Sequence, residues 1–117
     1  MGLDLLVRNG NDADVFAERI GSYYYFHEFR LAWARHLGFN LGRMEGFGGS
    51  QSWTTEPLQS FFDHSDCEET ISWQDAKAIL KQARKDAPKL PEFHRQFQVL
   101  IAACQAAVEH RTPIIFC

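Results

Sequence analysis

The chain lacks three features that would assign it to a familiar functional class. It has 12 basic residues against 15 acidic ones, so it lacks the positive excess that is typical of nucleic-acid-binding proteins. It has no apolar run near the ~20 residues of a membrane span. Its first residues show no basic segment followed by an apolar stretch, so no signal peptide is expected. Nucleic acids and membranes are therefore not expected as partners.

Cysteine is also scarce, with three residues in the whole chain. Without a secretion signal, these cysteines are expected to be reduced thiols in the cytoplasm. The chain has 117 residues, which is the length of one ordinary domain. We therefore expect residues 1–117 to form a single cytoplasmic domain.

The two ends of the chain have the pattern of β-strands. Residues 3–8 are a short apolar run, and Asn9-Gly10 directly after it is a strong turn signal. Residues 15–20 fit either a second strand that pairs back as a hairpin or a short helical turn, and we interpret them as a strand. Residues 113–117 are typical of a terminal strand.

A helix is predicted over residues 23–37, because Ser22 is a good N-cap and Gly38 a good stop signal. Arg30 lies within its apolar stripe and has two interpretations. In the first interpretation, the charged end of Arg30 reaches solvent. In the second, Arg30 is partly buried and pairs with a carboxylate. Following the second, we predict that Arg30 contacts Asp63, Asp66 or a carbonyl of residues 63–69. The stripe consists of Phe26, Phe29, Trp33 and Leu37.

The rest of the chain completes an α+β pattern. Residues 38–57 are glycine-rich but also carry large apolar side chains, which indicates an ordered loop. Residues 58–62 are predicted to be a strand, residues 73–85 a helix capped by Ser72, and the segment from Pro91 to about residue 110 a third helix. The predicted fold is a small sheet of three or four short strands with three helices packed mainly on one face.

Residues 63–69 contain four carboxylates, a histidine and a cysteine. His64, Asp66 and Cys67 are plausible metal ligands, but no Cys/His pair lies at a zinc spacing and the calcium-loop pattern is absent. Cys67 with His64 as its base is a second interpretation, opposed by the carboxylates, which would raise the pKa of the thiol. A binding loop is a third. In a fourth interpretation, the acidic residues only stabilise the N-terminus of the next helix through its dipole. We expect neither a metal nor a cofactor.

Other reactive or charged side chains have plain structural interpretations. Cys104 lies at the centre of the apolar face of the third predicted helix, so we expect a buried structural thiol. Lys77, Lys81 and Lys85 recur every four residues along the second helix, which is typical of a solvated helix face.

Several short motifs resemble a family of small bacterial proteins without an assigned activity. The central His64-Ser65-Asp66-Cys67 tetrad is the most specific of them, although the Asp-Gly that follows it in the family is Glu68-Glu69 here. A looser similarity to immunity proteins of bacterial toxin systems implies a partner-binding role. The other motifs are Met1-Gly2-Leu3-Asp4-Leu5, Gly21-Ser22-Tyr23 with Phe26 and Phe29-Arg30, Met44-Glu45-Gly46-Phe47-Gly48-Gly49, Pro57-Leu58 and the apolar end Ile114-Ile115-Phe116-Cys117.

We therefore expect a non-enzymatic binding protein that uses the loop of residues 42–55 together with residues 64–69. The alternative is a small enzyme or metal-binding protein that uses His64, Asp66 and Cys67. A protein partner is expected without being identified, and a homo-oligomer is compatible with the sequence. The candidate binding residues are Arg30, Gly48, Gly49, Trp53, Asp63, His64, Ser65, Asp66 and Cys67.

Overall fold

The computed structural model describes residues 2–11, 13–38, 40, 58–62 and 69–117. Its strands are β1 (Gly2–Arg8), β2 (Asp14–Ser22), β3 (Glu69–Ile71) and β4 (Ile114–Phe116). Its helices are α1 (Tyr23–His36), α2 (Gln59–Phe62), α3 (Trp73–Asp86) and α4 (His94–His110). Two single-turn 3₁₀ helices, Ala87–Lys89 and Pro91–Phe93, join α3 to α4.

The four strands form one antiparallel sheet in the order β2-β1-β4-β3. Burial alternates along β1, where Leu3, Leu5 and Val7 are fully buried and the residues between them are only half-buried. This alternation means that, among the described residues, one face of the sheet packs against the helix layer and the other does not. The predicted α+β class, with a small sheet and three helices mainly on one face, is confirmed.

The hairpin between β1 and β2 confirms the strand interpretation of residues 15–20. The side-chain oxygen of Asn9 accepts hydrogen bonds from the backbone N–H groups of Asn11 and Ala13, at 2.9 and 3.1 Å. The Asn9 N–H in turn donates to the carbonyl of Ala13 at 2.9 Å. The local hydrogen bonds of one asparagine therefore close the turn, as the sequence indicates.

Both predicted N-caps are confirmed. The Ser22 hydroxyl accepts a hydrogen bond from the Tyr25 N–H at 3.1 Å, and the Ser72 hydroxyl accepts one from the Asp75 N–H at 3.2 Å. Each bond satisfies a backbone donor that the first turn of a helix leaves free. Helix α1 ends at His36, two residues before Gly38, whose φ of +97° favours glycine.

The prediction of a strand over residues 58–62 is wrong. The N–H groups of Phe61 and Phe62 both donate to the carbonyl of Leu58, at 3.0 and 3.1 Å, which makes a helical turn. Both phenylalanine side chains are fully buried. A strand would have turned consecutive side chains to opposite faces, so the helical turn is what buries both.

Strand β3 and the start of the last helix also differ from prediction. No strand is predicted between residue 62 and Ser72, but Glu69–Ile71 pairs antiparallel with β4. The α-helix predicted from Pro91 begins instead at His94, after the 3₁₀ turn of Pro91–Phe93. Proline fits that first turn because it has no N–H to donate.

Aromatic side chains fill the space between the helices and the sheet. The Phe29 ring stacks on Trp33, with centroids 5.7 Å apart, and meets Phe97 edge-on at 4.7 Å. Phe61 meets Trp33 edge-on at 5.2 Å, which connects α2 to the same cluster. Such edge-on and stacked pairs are the favoured geometries of aromatic packing.

The prediction for Cys104 is confirmed. Its side chain is fully buried, and this burial raises the pKa of the thiol to about 12. A thiol with so high a pKa carries almost no thiolate at neutral pH, so it packs as a small apolar group. None of the helices in the described part of the chain is long and apolar enough to cross a membrane.

Candidate functional site

Arg30 is the candidate binding residue whose surroundings the structure shows. Residues 42–55 and 63–68 lie outside the described residues, and the other candidate binding residues all belong to these two segments. Those candidates are Gly48, Gly49, Trp53, Asp63, His64, Ser65, Asp66 and Cys67.

The Arg30 side chain is buried, at 3% exposure, so the interpretation in which its charged end reaches solvent is wrong. Its Nη1 donates to the carbonyl oxygen of Phe62 at 3.4 Å. Its guanidinium carbon lies 4.7 Å from the centroid of the Phe26 ring, a cation–π distance. Arg30 therefore joins α1 to the last residue of α2, immediately before residues 63–69. Its predicted contact with that segment lies outside the described residues.

A second buried polar cluster surrounds Asp86, in the last turn of α3. The Asp86 side chain is 1% exposed. Its Oδ2 accepts hydrogen bonds from the Trp33 indole N–H and from the Gln82 amide, each at 2.8 Å. Its Oδ1 lies 3.4 Å from Nε2 of His36, which is partly exposed. This cluster fixes the C-terminal half of α1 against α3.

The Asp86 carboxylate remains charged despite its burial. Burial by itself raises the pKa of Asp86, but the hydrogen bonds from Gln82 and Trp33 and the nearby His36 outweigh it. The net result is a pKa of Asp86 below its ordinary value. Two hydrogen bonds to one carboxylate oxygen stabilise the ionised form because they are made to the charged state.

Sequence reasoning missed the Asp86 cluster. A signal was present, because an aspartate in the last turn of a helix opposes the helix dipole and so needs another source of stabilisation. The partner could not be found from the sequence, because Trp33 lies on a different helix, 53 residues earlier.

Two tyrosines at the start of α1 were also missed. Tyr24 is 67% exposed and Tyr25 is 57% exposed, and their rings meet edge-on with centroids 5.7 Å apart. The signal in the sequence is the run Tyr23-Tyr24-Tyr25, because one side of a helix cannot bury three consecutive side chains. We call Tyr24 and Tyr25 the exposed tyrosine pair.

The sheet face that points away from the helices, the outer face, has an apolar centre between ion pairs. Cross-strand partners share a face, so the register places Ala17, Leu6, Ile115 and Thr70 in one row across the four strands. Ion pairs flank this row, from Arg19 to Asp4 at 2.8 Å and from Arg8 to Asp14 at 2.9 Å. A cavity of about 160 Å3 lies beside the row, lined by Asp4, Leu6, Ala17, Glu18 and Arg19.

The described residues contain no group of three His, Cys, Asp or Glu side chains placed to hold a metal ion. The predicted solvated face of α3 is present, since Lys77, Lys81 and Lys85 are all exposed. The described residues therefore offer a ligand two exposed surfaces, the tyrosine pair and the outer face.

No protein-family model, curated protein or solved structure matches the chain. The resemblance to the bacterial family with the central His-Ser-Asp-Cys tetrad therefore stays a prediction.

Replacing Arg30 should destabilise the protein. Arg30→Ala leaves the Phe62 carbonyl without this donor, and we expect a loss of ~1–3 kcal/mol in the free energy of unfolding. Arg30→Lys should lose less, because it keeps the charge but not the flat, forked guanidinium. Arg35→Ala, at an exposed position on the same helix, is the control and should change stability by less than ~0.5 kcal/mol. Urea unfolding checks this, and equal stability of Arg30→Ala and wild type would contradict it.

Stability at acid pH should depend on Asp86. Because its pKa is lower in the folded protein than in the unfolded chain, Asp86 stabilises the fold above its unfolded pKa. That contribution is lost as the pH falls from the unfolded pKa of an aspartate, about 3.9, through the lower folded pKa. Urea unfolding across this range should show wild type losing more stability than Asp86→Asn. Parallel losses in the two proteins would show that Asp86 makes no such contribution.

Proposed function

We propose that the protein is a non-enzymatic, protein-binding domain, and that the exposed tyrosine pair is part of its binding surface. The proposal keeps the sequence-based expectation of a cytoplasmic bacterial protein whose loops at residues 42–55 and 64–69 take part in binding. The single observation that carries it is the exposure of Tyr24 and Tyr25.

Exposed tyrosine pairs are well suited to protein recognition. Tyrosine offers a large apolar ring and a hydroxyl that can hydrogen-bond, and it is enriched at protein interfaces. A tyrosine side chain also has few rotatable bonds, so ordering it on binding costs little conformational entropy. The edge-on contact between the two rings and their position in the first turn of a capped helix order them further.

The alternative of a small enzyme or metal-binding protein rests on His64, Asp66 and Cys67. Nothing in the described residues favours it over binding. The resemblance to immunity proteins also favours a binding function, because such proteins act by binding a partner.

The test is site-specific photo-crosslinking in the cells that naturally make the protein. A photoreactive amino acid at position 24 or 25 should capture the same protein in repeated experiments. The same amino acid at position 77 is the control, because Lys77 is also exposed but lies on α3. Capture of that protein from all three positions alike, or from none, would contradict the proposal.

The captured partner then allows a quantitative test. Tyr24→Ala with Tyr25→Ala should weaken binding at least about tenfold in calorimetric titration, because tyrosine is enriched among the hot-spot residues whose truncation costs ~2 kcal/mol or more. Tyr24→Phe with Tyr25→Phe keeps both rings and should retain most of the affinity. Unchanged affinity in the double alanine variant would remove the tyrosine pair from the binding surface.

A further inference from the structure

The charges on the outer face form an alternating pattern. Along β1 an acid, Asp4, and a base, Arg8, lie on either side of Leu6. Along β2 the order of signs is reversed, because Arg19 is opposite Asp4 and Asp14 is opposite Arg8. A register shift between Val7 and Arg8 sets Arg8 opposite Asp14 rather than Val15. The four charges therefore mark the corners of a patch in which neighbouring corners have opposite signs.

The four charged side chains are open to a partner. Their side-chain exposures are 39% for Asp4, 60% for Arg19, 46% for Arg8 and 48% for Asp14. The apolar row between them continues past β1 to Ile115, which is half-buried, and to the exposed Thr70. The patch therefore combines an apolar centre with accessible charges on both sides of it.

Such a pattern is complementary to itself. Consider a two-fold axis that runs between the two copies, along the row of Ala17, Leu6, Ile115 and Thr70. Rotation about this axis places each strand over the same strand of the second copy, with the two strands running in opposite directions. Asp4 of one copy then faces Arg8 of the second copy, and Arg19 faces Asp14 of the second copy. Each of the four corner charges meets one of opposite sign, and the row of Ala17, Leu6, Ile115 and Thr70 meets itself, as an isologous contact requires.

We propose that two copies of the chain associate face to face through the outer face, about this two-fold axis. The arrangement resembles the packing of two sheets in a sandwich, whose strand directions lie nearly in line. The charges set the register of the contact and disfavour other arrangements. This surface is separate from the tyrosine pair, so the inference goes beyond the proposed function.

Two other ways of joining copies fit less well. A two-fold axis parallel to the strands would also match the charges, but β1 would lie over β2 of the second copy and Ile115 would extend past the contact. Pairing through the edge of β2 meets Arg95 of α4, whose Nη2 donates to the Arg19 carbonyl at 3.4 Å. The axis along the row is the one that covers all four strands.

The expected contact is small. Four strands ~4.8 Å apart and about five residues long, at ~3.3 Å per residue, give a face of about 19 by 17 Å. Interfaces at the low end of the size range belong to weak, transient complexes. The association should therefore depend on protein concentration.

The test uses charge exchanges that leave the net charge and the pairing within each copy unchanged. Asp4→Arg with Arg19→Asp keeps an ion pair inside the copy. In the proposed dimer, however, it sets the new arginine at position 4 against Arg8, and the new aspartate at position 19 against Asp14. Arg8→Asp with Asp14→Arg does the same from the other side of the row. Exchanging both pairs together restores the complementary pattern.

Sedimentation velocity measures the outcome, from low micromolar to millimolar protein. Wild type and the variant with both pairs exchanged should form dimers with similar affinity. Each single-pair exchange should weaken dimerisation at least tenfold while keeping the circular dichroism and the urea unfolding midpoint of the folded protein. If one single-pair variant fails to fold, the other makes the same test. Tyr24→Ala with Tyr25→Ala should dimerise like wild type.

Three results would each overturn the proposal. Wild type could remain monomeric at every concentration. A single-pair exchange could dimerise as well as wild type, which would mean that the copies meet in another arrangement. The variant with both pairs exchanged could stay monomeric, which would mean that the charge pattern does not set the contact.

Discussion

The hydrogen bond from the Trp33 indole to the buried Asp86 carboxylate is the interaction on which the arrangement of the helices depends. It joins α1 to α3 at 2.8 Å, inside a layer whose other contacts are mostly between apolar side chains. Burying a carboxylate is costly unless its oxygens are hydrogen-bonded. Gln82 makes one of those bonds from within α3. The other comes from Trp33 on α1, so it forms only at one relative position of the two helices. A shift of either helix along the other would strand a buried charge.

The position of α1 determines where the surface features lie. Ser22 caps its first turn, which leaves Tyr24 and Tyr25 open to solvent. One side of the helix faces the core, where Arg30 reaches the carbonyl of Phe62 at the start of the acidic segment. A helix fixed at both ends can present aromatic side chains in a constant orientation, which is what a binding surface requires. The outer face of the sheet, by contrast, does not depend on the position of α1, because the alternation along β1 determines which side chains it carries.

Local signals predicted the parts of the fold that local chemistry determines. The caps at Ser22 and Ser72 and the asparagine turn are set by atoms within a few residues. Phe61 and Phe62 were misassigned because a short apolar run has no periodicity that separates a strand from a buried helical turn. Strand β3 was missed because three residues become a strand only through pairing with β4. The partner of Asp86 was beyond sequence reasoning, because it is distant along the chain. The binding role expected for residues 42–55 and 64–69 remains a prediction from the sequence.

The measurement that tests this account most directly is a double-mutant cycle on Trp33 and Asp86, read out by urea unfolding at neutral pH. Trp33→Phe removes the indole donor and keeps an aromatic ring, and Asp86→Ala removes the acceptor. If the bond between them positions α1 on α3, the two losses in free energy of unfolding will not add, and the coupling will lie in the range of ~0.5–3 kcal/mol for residues in direct contact. Losses that add to within ~0.3–0.5 kcal/mol, the behaviour of independent sites, would contradict the central role given to this hydrogen bond.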